Sequence, residues 1–579
     1  MRPAARRATR RRGSVGARIL VECTPYASEW RRADGMRPDQ RYELDAFGFC
    51  RLSSVLSASE LLAAQQAASA CSTAVETAVA GIDPSLADPA LERLATHPAL
   101  LPLLLELCSG EPRLISGGLF GNDSDGSPHE RSDGGTYRYT VEDQRCRCDA
   151  LVVLCCLGDH EHGDGGLLVE IGSHKSQFQP PGSLGQEVSA NLLNVCPHAG
   201  DFILLPEATR HIVLPRNKAS KACHMLRLRF RSGAARGIPL PRQLRAIENQ
   251  HCRLAAPTVA LLRGDGNAIR ALCPARLPEP EPPLHMCWSQ GRNARTPAIT
   301  GCDAAVTAEQ RRLFDLHGFV HLWGVLSAEE LLAARAAFER CRLASSPSRG
   351  VQAPSNVDGE PIREPAMEML ATHPAVLPLL MELGEGAPHL TGMALIYNQP
   401  RQGAHRMAGP YSELHCHGGI SEHNGIVQDK RNNGAFGAKS GRITTDDWVV
   451  FPYLEQCDGG LGVVPASAKA NFPRPCAVVW PYGSAPDGQA FGRDTGDGST
   501  PTGPQSLLYT KADGSSGIRA PDGLLQLTPD AGDFIVMSER CAHCILAWQP
   551  TDRPRVALTL RYFSGSAWAR MQSNRTECG

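Results

Sequence analysis

The chain lacks three features that would each have narrowed its class at once. It has no run of 18 or more apolar residues, so we expect no membrane-spanning helix. It has no excess of charge of either sign, with a formal net charge of −1 over 579 residues, which argues against a nucleic-acid partner. It has no apolar signal segment at its start, and its 21 cysteines follow no regular spacing. We therefore expect a reduced, intracellular protein with no membrane or nucleic-acid partner.

Acidic residues are missing from the first twenty positions, which contain seven arginines; the first carboxylate is Glu22. An Arg-rich, acid-poor start is typical of an organelle transit peptide. A disordered basic tail is the alternative, so the predicted location is an organelle (mitochondrion or plastid) or the cytoplasm.

An internal repeat is the main feature that the sequence does contain. LDAFGFCRLSSVL (44–56) returns as FDLHGFVHLWGVL (314–326), and ATHPALLPLLLEL (95–107) returns as ATHPAVLPLLMEL (371–383). GDGGLLVEIGSHK (163–175) matches CDGGLGVVPASAK (457–469), and GDFILLPEATRHIVL (200–214) matches GDFIVMSERCAHCIL (532–546). Matched blocks in the same order predict two copies of one domain.

The matched blocks also predict domain boundaries. Residues 1–40 read as a disordered basic segment, 41–233 as the first copy, 234–300 as a Pro-, Arg- and Ala-rich linker, and 301–579 as the second copy. The second copy is longer, mostly within 400–445 and 476–525. Both stretches are rich in Gly, Asn, Asp and Pro, so we expect surface loops there.

Each copy opens with helical sequence and continues with short apolar runs. Ser57 with Glu60, and Ser327 with Glu330, have the spacing of a capping box ahead of a Leu/Ala-rich helix. Runs such as ALVVLCCL (150–157) and VALTLRYF (556–563) read as strands. The order predicts an α+β domain built on a β-sandwich or jelly roll.

The order of the blocks resembles a known family. The most specific pieces are GSHK (172–175), GDF (532–534) and RVALTLRY (555–562). Together they are similar to the phytanoyl-CoA dioxygenase-like family of Fe(II)- and 2-oxoglutarate-dependent oxygenases. The resemblance implies two tandem double-stranded β-helix (jelly-roll) domains, each with N-terminal helices packed on the sheet. It also implies Fe(II), 2-oxoglutarate, O₂ as co-substrate and a small-molecule substrate.

The resemblance assigns site residues in the second copy. His543 stands where the family has its second metal-binding histidine, and Arg555 stands where the family binds the distal carboxylate of 2-oxoglutarate. The first metal-binding histidine would lie in ELHCHGG (413–419); the pattern selects His417, with His415 as the alternative.

Neither histidine is followed two positions later by an aspartate, which leaves the third iron ligand open. A carboxylate from elsewhere, such as Glu413 or Glu422, would complete a two-His, one-carboxylate set. Alternatively, both histidines would join His543 in a three-His site, or Gly419 would mark an open position filled by a halide, as in related halogenases. A second copy that binds iron poorly is the remaining possibility.

The first copy lacks a comparable set. His211 matches His543, but Cys223 stands in place of Arg555. The segment HERSDGG (129–135) places Asp133 opposite His417, and a ligand at His129 would be followed two residues on by Arg131, a cation. We expect this copy to be a scaffold, a lid or a dimer surface.

Two functions follow as hypotheses. The first is an oxygenase that hydroxylates a small organic substrate through the second copy; the second is a catalytically inactive tandem jelly-roll binding protein. A third reading, zinc or redox chemistry at Cys541 and Cys544, has CxxC spacing but no second pair. The oligomeric state and the substrate are not predicted.

Overall fold

The structure is a computed structural model. It describes residues 35–72, 86, 88–120, 130–132, 137–160, 166–178, 192–214, 225–233, 255–273, 287–288, 306–344, 364–398, 419–423, 426–430, 435–457, 461–472, 508–510, 516–518, 525–527, 529–545 and 553–577. We refer to the described residues up to 288 as the first half and to those from 306 onward as the second half.

The described part of the first half contains helices near its start and again between its last two strands, and twelve strands in all. The helices are Pro38–Phe47, Ala58–Ser72, Pro89–Ala95, Leu101–Leu107, Ala256–Arg263 and Gly266–Leu272. The strands are β1 (Cys50–Leu52), β2 (Pro112–Phe120), β3 (Glu130–Ser132), β4 (Tyr139–Glu142), β5 (Arg145–Cys148), β6 (Ala150–Cys156), β7 (Gly166–Glu170), β8 (Leu192–Val195), β9 (Phe202–Pro206), β10 (His211–Leu214), β11 (Met225–Ser232) and β12 (Cys287–Trp288).

The second half has the same general order. Its helices are Ala308–His317, Ala328–Ala344, Pro365–Ala371, Leu377–Leu383 and Gly565–Glu577. Its strands are β13 (Phe319–Leu322), β14 (His389–Asn398), β15 (Gly419–His423), β16 (Ile426–Lys430), β17 (Phe436–Lys439), β18 (Arg442–Thr445), β19 (Asp447–Pro452), β20 (Leu461–Val464), β21 (Leu508–Thr510), β22 (Ser516–Ile518), β23 (Leu525–Leu527), β24 (Phe534–Ser538), β25 (Ala542–Ile545) and β26 (Arg555–Phe563).

Both halves are built on antiparallel sheets, so the chain is of the α+β class. A five-stranded sheet has the order β1-β9-β6-β11-β2 in the first half and β13-β24-β19-β26-β14 in the second. A second sheet is ordered β12-β8-β7-β10-β3 in the first half and β23-β20-β25 in the second. The chain alternates between the two sheets, since β9 and β11 belong to one and β10 to the other.

The repeated motifs form local structures that account for the repetition. The Ser57–Glu60 and Ser327–Glu330 capping boxes are both confirmed, with Glu60 and Glu330 accepting from the serine backbone N–H at 2.9 Å and 2.8 Å. In the ATHPA turns, the histidine Nδ1 accepts a backbone N–H two residues on, at 3.2 Å and 3.3 Å, and so braces the next helix.

The five-stranded sheet of the second half packs on both faces. Trp448, Val450 and Leu560 lie on the face that meets the helices. Val449, Phe451 and Tyr453 lie on the opposite face, with β20 residues that include Val463. This second cluster fills the space between the two sheets, which we call the sandwich interior.

Packed structure occurs within the stretch predicted as a linker and within one stretch predicted as a surface loop. Within 234–300, the helices Ala256–Arg263 and Gly266–Leu272 bury Leu261 and Ile269 in the first-half core. Within 400–445, β17 and β18 form a hairpin with Ile443 fully buried, equivalent to the β4–β5 hairpin. In both stretches, apolar residues spaced for burial form packed elements despite a local composition that is typical of linkers and loops. The first described helix begins at Pro38.

Within the described part of the chain, no helix is both long and apolar enough to cross a membrane.

Candidate active site in the second half

His543 faces the sandwich interior. It lies on β25 directly opposite Val463 of β20, and directly paired residues of antiparallel strands share a face. The side chain is buried, and its Nδ1 lies 2.8 Å from the Cys541 carbonyl oxygen. Because a carbonyl only accepts, Nδ1 carries the proton and Nε2 presents its lone pair, as a metal-binding imidazole requires.

Arg555 faces the same interior from the other sheet. It begins β26, and alternation along the strand places it on the same face as Ala557, an interior residue. Only 2% of Arg555 is exposed. Its Nη2 lies 3.5 Å from the Tyr453 hydroxyl, and the guanidinium carbon lies 6.0 Å from the centre of that ring.

The electrostatics of Arg555 are unusual for a buried cation. Its Nε and Nη1 have no hydrogen-bond partner among the described residues, and the polar groups beside the guanidinium there are the Tyr453 hydroxyl and the Cys457 thiol rather than a carboxylate. Burying a charge without a counter-ion costs several kcal/mol, so such a group normally has an anion beside it. Burial raises the pKa of Tyr453 to about 12, which keeps its hydroxyl protonated and able to donate. Together the two side chains place a cation and a hydroxyl donor inside the sandwich.

A charged cluster lies beside His543. The Nε2 atom of His543 is 3.7 Å from Oε2 of Glu539, and Glu539 pairs with Arg561 at 2.9 Å. Glu539 is buried, whereas the Arg561 side chain is 47% exposed, so this end of the sandwich reaches solvent. Arg555 and Arg561 are six residues apart on β26, about 20 Å along a strand. The Glu539 cluster therefore lies toward the Arg561 end of β26, and Arg555 lies at the other end of that strand.

Asp447 adds a second buried carboxyl to the cluster. Alternation along β19 places it on the interior face with Val449, and its Oδ1 has no hydrogen-bond partner among the described residues. Burial, together with the nearby Glu539 and Asp446, raises its pKa to about 7.

The first half shares part of this arrangement. His211 is fully buried, with its Nδ1 2.9 Å from the Thr209 carbonyl oxygen, and Glu207 pairs with Arg229 at 2.6 Å. The strand registers put Cys156 where the second half has Tyr453. Cys223, the counterpart of Arg555, lies outside the described residues. Cysteine supplies neither a cation nor a hydroxyl, so the Arg555–Tyr453 pair is not repeated at these two equivalent positions.

The remaining predicted ligands, His415 and His417, lie outside the described residues, as do Glu413, His129 and Asp133. Gly419 and Glu422 lie on β15, which pairs with β16. In the first half, β3 within HERSDGG pairs with β10, and Ser132 lies opposite His211. Aligning the Gly-Gly pairs of HERSDGG and ELHCHGG makes Ser132 equivalent to position 416, which lies between His415 and His417. The pairing of Ser132 with His211 therefore favours neither of these two histidines as the ligand.

Tyr453, Glu539 and Asp447 were not predicted. Glu539 had a signal, since an acid four residues before the histidine occurs in both copies, as Glu207 with His211 and as Glu539 with His543. Tyr453 and Asp447 differ between the copies, and their inward direction depends on a strand register that one sequence does not reveal.

The cysteines give no support to a zinc site among the described residues. Cys541 is buried, and its Sγ lies 3.5 Å from the Val464 carbonyl oxygen. The side chain of Cys544 lies outside the described part. No group of three or more His, Cys, Asp or Glu suited to a metal ion occurs within the described residues.

Comparisons with known proteins give structural likenesses only. No family model and no curated protein matches the chain. Among solved structures, HygX from Streptomyces hygroscopicus, with nickel and 2-oxoglutarate bound, is 20% identical with a TM-score of 0.31, covering 36% of this chain and 96% of its own. The non-heme alpha ketoglutarate dependent epimerase SnoN from nogalamycin biosynthesis is 17% identical with a TM-score of 0.27, covering 35% of this chain and 92% of its own. AviO1 from Streptomyces viridochromogenes Tue57 is 14% identical with a TM-score of 0.27, covering 45% and 96%. With TM-scores below 0.5, none of these likenesses bears on the activity of this chain.

Proposed function

We propose that the second half is an Fe(II)- and 2-oxoglutarate-dependent oxygenase acting on a small organic substrate. In this proposal the chain is a tandem duplication of a jelly-roll domain, and the first half is not catalytic. The observation that carries the proposal is the Arg555 guanidinium, which is buried in the sandwich interior without a described counter-ion.

The chemistry of the Arg555 guanidinium and the Tyr453 hydroxyl suits one carboxylate of a dicarboxylate. A planar guanidinium binds a carboxylate through two parallel N–H···O bonds, and Arg555 has two N–H groups that are otherwise unused in the described structure. The Tyr453 hydroxyl supplies a further donor beside it. One carboxylate of 2-oxoglutarate would bind here, and its other end would extend toward His543.

The described donor set fits one side of a metal site. His543 would bind iron through Nε2, since its Nδ1 proton is held by the Cys541 carbonyl. His417 or His415 would supply a second imidazole. The third iron ligand would be a carboxylate, a third histidine or a halide, as set out from the sequence. The buried Glu539, which lies 3.7 Å from His543, is a further candidate carboxylate. When bound, Fe(II) with 2-oxoglutarate and O₂ supplies the oxidising chemistry of the reaction.

The test is anaerobic addition of Fe(II) and 2-oxoglutarate to the full chain, followed by the visible metal-to-ligand charge-transfer absorption. We expect the band in the wild type, its loss in His543→Ala, and an unchanged band in the matched first-half variant His211→Ala. Absence of the band in the wild type, or its persistence in His543→Ala, would overturn the proposal. A band without succinate formation would instead support the inactive binding protein.

A further inference from the structure

The two halves meet through equivalent loops that bond to each other in both directions. Each loop contains a short 3₁₀ turn, Ser173–Lys175 in the first half and Ser467–Lys469 in the second. Lys175 Nζ donates to the Lys469 carbonyl oxygen at 2.9 Å, and Lys469 Nζ donates to the Lys175 carbonyl oxygen at 3.1 Å. The two lysines occupy the same position of the repeat, so the contact is reciprocal.

The aspartates beneath these lysines repeat the pattern. Asp45 pairs with Lys175 and Asp315 pairs with Lys469, each at 2.5 Å within its own half. Each aspartate also crosses to the other half. Asp45 accepts the Asn471 backbone N–H at 2.6 Å, and Asp315 accepts the backbone N–H of Gln177, the equivalent of Asn471, at 3.1 Å. Both aspartates are fully buried, so these charges are compensated inside the interface.

Aromatic side chains are exchanged in the same way. Phe472 of the second half is 4% exposed and belongs to the first-half core. Phe178, its equivalent in the first half, packs against the second-half core. Three independent kinds of contact therefore obey one two-fold relation between the halves.

We infer that the halves associate as the two subunits of a symmetric dimer do, through a self-complementary surface that holds without the linker. In an isologous interface, residue i contacts residue j and j contacts i, which is the relation observed for the lysines, the aspartates and the phenylalanines. The partner that this surface fits is the equivalent surface of another half.

One departure from the symmetry selects the partner. Glu170 of the first half pairs with Arg210 at 2.7 Å and with Arg312 of the second half. In the repeat, Val464 is equivalent to Glu170, Ala542 to Arg210 and Tyr42 to Arg312. Val464 and Ala542 pack against the first-half core, so no ion pair forms at the symmetry-related position. Two second halves would face Arg312 with Val464, leaving this buried cation with only Glu309 of its own helix, at 3.4 Å, as a partner. The ion pair therefore favours a first half with a second half over two second halves.

The test uses the full chain with a protease site inserted after Asn293, beyond β12, so that each fragment keeps its described elements. A covalent linker gives the halves an effective concentration in the mM range, which cleavage removes. We expect the cleaved protein, at about 1 µM, to remain one particle with the 62.2 kDa mass of the intact chain by light scattering after gel filtration. Separation into two fragments, or loss of this particle through aggregation, would overturn the inference.

Symmetry makes a second prediction with the same cleaved protein. Lys175→Met and Lys469→Met should each weaken association at least about 10-fold, and by amounts that agree within about 3-fold, because each removes one cross-half hydrogen bond and one aspartate pair. Arg340→Met is the control, since it removes an exposed pair with Glu364 inside the second half and should leave association unchanged. Circular dichroism of each uncleaved variant checks its folding. Effects that differ more than about 10-fold between two folded lysine variants would contradict the two-fold relation.

Discussion

Replacing Arg555 by methionine should raise stability without ligand and abolish the stabilisation by 2-oxoglutarate. The guanidinium is buried with two N–H groups unpartnered in the described structure, and each unsatisfied buried donor costs about 1–3 kcal/mol. Methionine fills a similar length and lacks the charge, but loses the 3.5 Å contact with Tyr453, worth about 1 kcal/mol. We expect the second half to gain about 1–5 kcal/mol, which raises its melting temperature by several degrees.

The ligand response should have the opposite sign. At a ligand concentration of 100 times Kd, binding stabilises the wild type by about 2.7 kcal/mol, whereas the variant gains nothing. The assay is thermal unfolding under anaerobic Fe(II), with and without 2-oxoglutarate. Arg335→Met is the control, since Arg335 pairs with Glu455 at the surface and should leave the ligand response unchanged. A variant that is less stable than the wild type without ligand, yet responds fully to 2-oxoglutarate, would refute the account of Arg555.

Three further predictions concern single side chains. Tyr453→Phe should weaken 2-oxoglutarate binding about 10-fold or more, because it removes a donor to a charged group, as titration of the charge-transfer band will measure. Asp447→Asn should stabilise the protein relative to the wild type, and the gain should grow as pH rises from about 4 to 8, to at most about 4 kcal/mol. Urea unfolding at several pH values measures this gain, and a difference that does not change with pH would contradict the prediction. The sign follows because the Asp447 carboxyl keeps its proton up to a pKa of about 7 in the folded state, whereas in the unfolded state it loses that proton near its ordinary pKa of 3.8. Gly172→Ala should destabilise the chain by about 2 kcal/mol or more, since Gly172 has φ +77° and a Cβ would lie 2.7 Å from the Leu316 carbonyl oxygen. Gly441→Ala, at φ +73° with open space around it, should cost only about 1 kcal/mol in the same denaturation assay.

Local motifs explain how much of the fold the sequence predicted. The capping boxes and the ATHPA turns repeat because each satisfies backbone N–H groups at a helix start, which is a short-range requirement. Gly48 and Gly318 recur because each ends a helix in the left-handed conformation, at φ 81° and 82°. The α+β class follows from such signals, since they depend on residues close together in the chain.

The site depended on information that is not local. Arg555 and His543 were predicted from their places in a family-like pattern, but their shared interior face depends on strand alternation and pairing. Tyr453 adjoins Arg555 only because β19 and β26 lie side by side in one register. The contact between Lys175 and Lys469 could likewise not be predicted from the sequence. A repeat shows that two surfaces are alike, but it does not show that they are in contact.

The role of the second half can be tested most directly by release of labelled CO₂ from 2-oxoglutarate carrying the label in its C1 carboxylate. The full chain is incubated with Fe(II) and O₂ as wild type, as Arg555→Met and as His211→Ala. We predict release by the wild type and by His211→Ala, and none above background by Arg555→Met. Release that survives Arg555→Met, or that is lost in a folded His211→Ala variant, would contradict the assignment of the chemistry to the second half.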